Sequence, residues 1–183
     1  YVNGQDFAEV YPFIPYQFNL LGDVLTSIRI HGASGKHLAE GERSMLALFQ
    51  EAAISIMEEE AGALVPFNRF YDSLDRFVDH THSSVIKRAA NNDKLDEFDV
   101  EVLKVLFLIK YVKGIKGTPE NLTTLMIENI DDDRVELREK VEKSLGRLLR
   151  ETLIQKNGDV YSFLTDDEQA VWRAIKQENV EIG

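Results

Sequence analysis

The stretch HGASGKHLAEGERSML, His31 to Leu46, sets three glycines beside Lys36 and Arg43. That combination suits phosphate, because a glycine-rich turn ahead of a helix exposes unpaired N–H groups at a positive dipole end while long basic side chains add charge. It is not a complete nucleotide site. A Walker A loop has the pattern G-x-x-x-x-G-K-[ST] between a strand and a helix. Here His37 follows Gly35-Lys36, Ile30 stands where the first glycine belongs, and the preceding segment has helical periodicity. AEGERSML, Ala39 to Leu46, echoes the signature of ABC-type ATPases, but no Walker A, Walker B or β-rich core accompanies it. Two readings follow: the turn completes a phosphate site from outside, or its glycines only make a turn and its cations face water.

A second set of charges lies between Arg134 and Lys156, where seven basic residues meet four glutamates. On a recognition helix followed by a hairpin, Arg138, Lys140, Lys143 and Lys156 would meet DNA phosphates. Glu139 and Glu142 are interleaved with them, so intrahelical pairing accounts for the pattern equally well. In DHTHSS, Asp79 to Ser84, the histidines stand two apart, whereas helical metal ligands share a face at i and i+3 or i+4. A solvated helix surface is the expectation there. The acidic runs MEEEAG and IDDDR lack the alternate spacing of a calcium loop, and Asp131 to Asp133 precede a helix whose dipole favours them without a metal. No metal site and no catalytic constellation of nucleophile, base and oxyanion donors is expected.

The elements that must carry these residues are helical. Phe18, Leu21, Leu25 and Ile28 mark one amphipathic helix, and Met45 to Met57 a second. A third is expected to begin beside Pro66, bury Phe67, Phe70, Tyr71, Leu74, Phe77 and Val78, and run on toward Val85 and Ala89. The polar stretch NNDKLDEFD, Asn91 to Asp99, then divides the chain into residues 1–97, a helical bundle, and 98–183. The second part opens with an almost wholly apolar helix, Val100 to Val112. It continues with a short helix over Glu120 to Glu128, capped by Thr118 and Pro119, and a third helix over Arg134 to Thr152. Asn157-Gly158 predicts a type I′ hairpin, and Thr165 with Glu168 a capping box opening a helix with Val171, Trp172 and Ile175 on one face. Three helices and a hairpin are the parts of a winged helix. The fold class expected is therefore mainly α: an N-terminal bundle followed by a C-terminal winged-helix domain with a small β-hairpin.

The chain of 183 residues carries a net charge of −11, and both parts are acidic. That counts against a surface that tracks nucleic-acid phosphates throughout, while a local basic face remains compatible with it. There is no cysteine and no apolar run near the roughly 18–20 residues that span a bilayer. With no signal-peptide pattern after Tyr1, the expectation is a cytoplasmic piece of a longer chain that has no membrane partner.

The run from Asp6 to Ala53, above all YPFIPYQFNLL (Tyr11 to Leu21) and GKHLAEGERSML (Gly35 to Leu46), resembles the segment downstream of the ATPase core in the large P-loop ATPases of the BREX phage-defence systems, the BrxC/PglY family. The resemblance implies an AAA-like lid over nucleotide bound by an upstream core, followed by the winged helix. Arg43 would then sense the γ-phosphate, with Lys36 as a second contact and Ser34 and Gly35 completing the nucleotide-sensing turn. ATP and magnesium would reach this segment only through the parent chain. The function implied is noncatalytic regulation, in which nucleotide state is passed to duplex DNA or to other defence proteins. The alternatives are a winged-helix DNA-binding module dimerised by its front helices, and a protein–protein adaptor.

Overall fold

The computed structural model describes residues 15–30, 65–75, 78–129 and 131–183. The second expected helix, Met45 to Met57, lies outside them. Among the described residues the chain is mainly helical with one two-stranded antiparallel sheet, in the order α1 (Pro15–Ile30), α2 (Arg69–Leu74), α3 (His80–Ala90), α4 (Glu97–Ile109), α5 (Pro119–Leu125), α6 (Arg134–Arg150), β1 (Ile154–Asn157), β2 (Val160–Phe163) and α7 (Asp166–Glu181). No helix among them is long and apolar enough to cross a membrane.

Helix α4 is apolar around most of its circumference, with only the stripe of Glu97, Glu101 and Lys104 left toward water, and a helix of that kind has to be largely enclosed. It packs against α2, α3, α5, α6 and β2. Val102, Leu103, Val105, Leu106 and Phe107 are all sealed from water. The buried side chains form one cluster that runs from Leu20 in α1 to Phe163 in β2, across the polar stretch at Asn91 to Asp99. α1 contributes Leu20, Leu21, Val24 and Ile28, a stripe at helical spacing, with Leu25 half-buried beside it.

The segment after Pro66 is two helices, not the single one its periodicity suggests. Asp79 interrupts it: its backbone is extended (φ −61°, ψ 151°) and its carboxylate accepts the His82 N–H at 3.1 Å, capping α3 as a new start. Helix α4 begins at Glu97 and ends at Ile109, three residues ahead of the expected Val100 to Val112, whereas three other helix starts follow their sequence signals. Thr118 accepts from Asn121 N–H at 3.2 Å ahead of Pro119. Asp133 accepts from Val135 and Glu136 N–H at 3.0 and 3.1 Å. The reciprocal Thr165–Glu168 pair opens α7.

The hairpin forms where it is expected but with a shifted turn. Asn157 is still a strand residue, paired with Val160, so Gly158 and Asp159 make the turn. Gly158 has φ +64° and Asp159 does not share its positive φ. This is the pattern of a type II′ turn, with glycine at the first central position, rather than type I′. On its outer side β2 meets the loop between α4 and α5: Tyr161 N–H donates to the Gly117 carbonyl at 2.8 Å. The backbones approach so closely that a Cβ on Gly117 would collide with the Tyr161 carbonyl oxygen and press on Leu106.

Helix α7 departs from its pattern. Val171 and Ile175 are 58% and 42% exposed, while Gln169 is 1% exposed and donates from Nε2 to the Leu164 carbonyl at 3.0 Å. Polar contacts hold this helix. Lys110 bridges to Glu168 at 2.8 Å and donates to the Phe163 carbonyl at 2.6 Å, Arg88 pairs with Asp166, and Lys176 reaches the Leu149 carbonyl and Thr152 hydroxyl.

Gly117→Ala is expected to lower stability by about 1–3 kcal/mol through overpacking and to expose the Tyr161 amide. Denaturant unfolding combined with amide hydrogen exchange measures both. A variant as stable as the parent, with Tyr161 still protected, would contradict the close approach.

Candidate functional site

Ser34, Gly35, Lys36 and Arg43, expected from the resemblance to sense nucleotide, lie outside the described residues, as do Gly41, Glu42 and the acidic run MEEEAG. The second group of expected site residues, on α6 and the hairpin, is described in full.

Arg138, Lys140 and Lys143 are exposed on α6, and Lys156 is exposed on β1. They do not converge. At about 100° per residue, Arg138 and Lys140 fall some 200° apart around the helix. Arg138 pairs with Glu142 at 3.3 Å, and the Lys140 ammonium lies 4.2 Å from the centre of the Phe98 ring. Lys156 sits over Tyr161 at 5.5 Å. Among the described residues, neither Lys143 nor Lys156 has a carboxylate partner. The acidic run before α6 acts locally: Asp133 caps the helix, and Asp132 accepts from the Glu128 and Asn129 amides at 3.2 and 2.9 Å. No group of side chains suited to hold a metal ion occurs among the described residues.

Two polar constellations appear that sequence reasoning did not single out. The first joins α4 to α6. The Asp99 carboxylate, fully buried, receives Arg147 Nε and Nη2 at 2.8 Å each and also the Asp96 N–H at 2.9 Å. Burial raises the pKa of this carboxyl, but the Arg147 fork and the Asp96 amide outweigh it and hold the group below the usual carboxylate range. Of the seven basic residues between Arg134 and Lys156, Arg147 is thus committed to the core rather than to a ligand.

The second is a chain of hydrogen bonds from α3 to the end of α4. His82 is buried, with Nδ1 3.1 Å from Asp79 Oδ1 and Nε2 3.1 Å from the Tyr111 hydroxyl. Its ring stacks on Phe163 at 6.3 Å and leans on Phe107 at 5.6 Å. Only His80 meets the expectation of a solvated surface; His82 is a core residue whose two nitrogens are both engaged. Burial opposes ionisation of Asp79, yet hydrogen bonds from Thr81 and His82 leave its pKa lowered. Burial, together with Glu168 and Asp79, raises that of Tyr111. The line Asp79–His82–Tyr111 has the order of a proton relay. It ends at the half-buried Tyr111, which shares the wall of an open cleft with Asp23, Thr26 and Ser27, and its hydrogen bonds tie α3 to the end of α4.

No protein-family model and no solved structure matches this chain.

Asp79, Asp99 and Glu168 all have lowered pKa values in the folded chain; for Glu168, burial is outweighed by Lys110 and the Thr165 amide. The stability they contribute is present above the unfolded carboxylate range, near pH 4, and is lost as pH falls through their lower folded values. Asp99→Asn is expected to cost roughly 2–3 kcal/mol at neutral pH, less than for a fully enclosed pair because Arg147 keeps some access to water. It should also flatten the loss of stability on acidification. Urea unfolding between pH 7 and pH 3 measures both, and a variant with the parental slope would contradict the assignment.

Proposed function

We propose that this chain is a noncatalytic regulatory segment of a BREX-type P-loop ATPase, in which residues 98–183 form a winged helix that passes the nucleotide state of an upstream core to partner proteins. The observation that carries the winged-helix part is the Gly117–Tyr161 hydrogen bond. It adds the loop between the first two helices of the unit, α4 and α5, to the outer edge of the hairpin that follows the third, α6. This is the arrangement in which a wing is braced against its helices. The ATPase part rests on the resemblance of the Asp6 to Ala53 run, with Arg43 as γ-phosphate sensor, Lys36 beside it, Ser34 and Gly35 in the turn, and ATP and magnesium supplied by the parent chain.

Protein partners are favoured over duplex DNA by the fate of the basic residues. Arg138 is paired with Glu142, Lys140 covers Phe98, Arg147 is bound to Asp99, and the chain carries −11 overall. The DNA-binding reading retains Lys143 and Lys156, both exposed, as phosphate contacts.

In the full-length parent, Arg43→Ala is expected to reduce ATP turnover about a hundredfold or more, as loss of an arginine on a transferring phosphoryl group does. Unchanged turnover would remove the sensor role. Duplex DNA is expected to bind the chain only at the nonspecific level, with Kd about 10⁻⁴ to 10⁻⁶ M at physiological salt. Tighter, salt-sensitive binding that weakens in Lys143→Ala and Lys156→Ala would move the output from protein partners to DNA.

A further inference from the structure

Three arginines from three helices line one cleft of about 450 Å³: Arg88 of α3, Arg150 at the end of α6 and Arg173 of α7. Two of them stand in the last turn of a helix, where unpaired carbonyls attract cations. That need is already met in part. Arg88 pairs with Asp166, and the end of α6 is served by Lys176, whose Nζ lies 3.3 Å from the Leu149 carbonyl and 3.1 Å from the Thr152 hydroxyl. Arg150 therefore adds charge beyond what the helix end requires. Arg173 stands in the middle of α7, and the acceptor for its Nη2 is the neutral Gln169 Oε1 at 3.3 Å. Among the described residues, neither Arg150 nor Arg173 has a carboxylate partner.

The cleft wall holds one carboxylate, Glu151, which accepts from Asn92 Nδ2 at 2.8 Å. Buried Leu153 and Gln169 supply parts of the wall that water does not fill. In a chain of net charge −11, the cleft thus brings together three arginines, one of them already paired with Asp166, beside the single lining carboxylate of Glu151. Guanidinium forks match phosphate oxygens two at a time, and clefts of a few hundred Å³ are the size of small-ligand sites.

We propose that this cleft binds the phosphate groups of a small phosphorylated ligand, with Arg150 and Arg173 as the principal forks and Arg88 shared between the ligand and Asp166. The cleft residues include none of those from Ser34 to Arg43, and the proposal does not depend on the ATPase reading.

The test is calorimetric titration of the 183-residue chain with inorganic phosphate, pyrophosphate and ATP at constant ionic strength, using the parent, Arg150→Gln, Arg173→Gln and the exposed control Lys143→Gln. Both arginines are exposed, so their substitution leaves the core intact. Saturable binding of at least one probe is expected, weakened about tenfold by either cleft variant and unchanged by the control. A preference for pyrophosphate and ATP would identify a polyphosphate ligand, and equal affinities a single phosphate; both uphold the site. Absence of saturable binding at millimolar probe, parental affinity in both cleft variants, or an equal loss in the control would overturn it.

Discussion

Eight of the thirteen residues of α4 are apolar and buried, and the rest of the described chain is arranged to keep them from water. Five elements close around it, each contributing its apolar side, and the polar groups of the fold are pushed to the rim where those elements meet. The demand is sharpest at the first turn of α4, where Asp99 caps the helix backbone and is itself fully buried. A carboxylate in that position is tolerable only with a cation and a full set of donors, and Arg147 supplies two of them from α6. The crossing of α4 and α6 is therefore fixed by one charged pair set in a hydrocarbon interface.

The same division of labour explains α7. Its apolar residues Val171 and Ile175 face outward, and its attachment runs through Lys110, Arg88 and Lys176. A helix held by ion pairs and carbonyl contacts at its rim is bound less tightly than one held by burial, since exposed pairs contribute little each.

Much of this was legible in the residues. The almost wholly apolar run announced α4, though not its ends, the Thr118-Pro119 and Thr165-Glu168 signals placed two helix starts, and Asn157-Gly158 placed the hairpin. These succeed because their determinants are local. What the sequence did not disclose depends on partners far along the chain. A period of 3.6 residues ran unbroken through Asp79, yet α2 ends at Leu74 and Asp79 caps a new start at α3. Gln169 is buried in place of Val171 because the Leu164 carbonyl needs a donor at that point. Of the candidate cations, spacing alone puts Arg138 and Lys140 on different sides of α6, whereas the pairing of Arg147 with Asp99 and the grouping of Arg88, Arg150 and Arg173 need the tertiary fold. The glycine-rich stretch from Ser34 to Arg43 was legible as a motif and lies outside the described residues.

The Gly117–Tyr161 contact also bears on the stability of the hairpin. A lone hairpin of two four-residue strands is marginal in water, and its third edge is contributed by a loop far away in sequence. That loop is in place only once α4 and α5 have docked, and closing so long a segment carries an entropic cost that local helix formation does not. The hairpin thus draws part of its stability from the docked helices, because the acceptor for its Tyr161 amide is the Gly117 carbonyl in the loop between them.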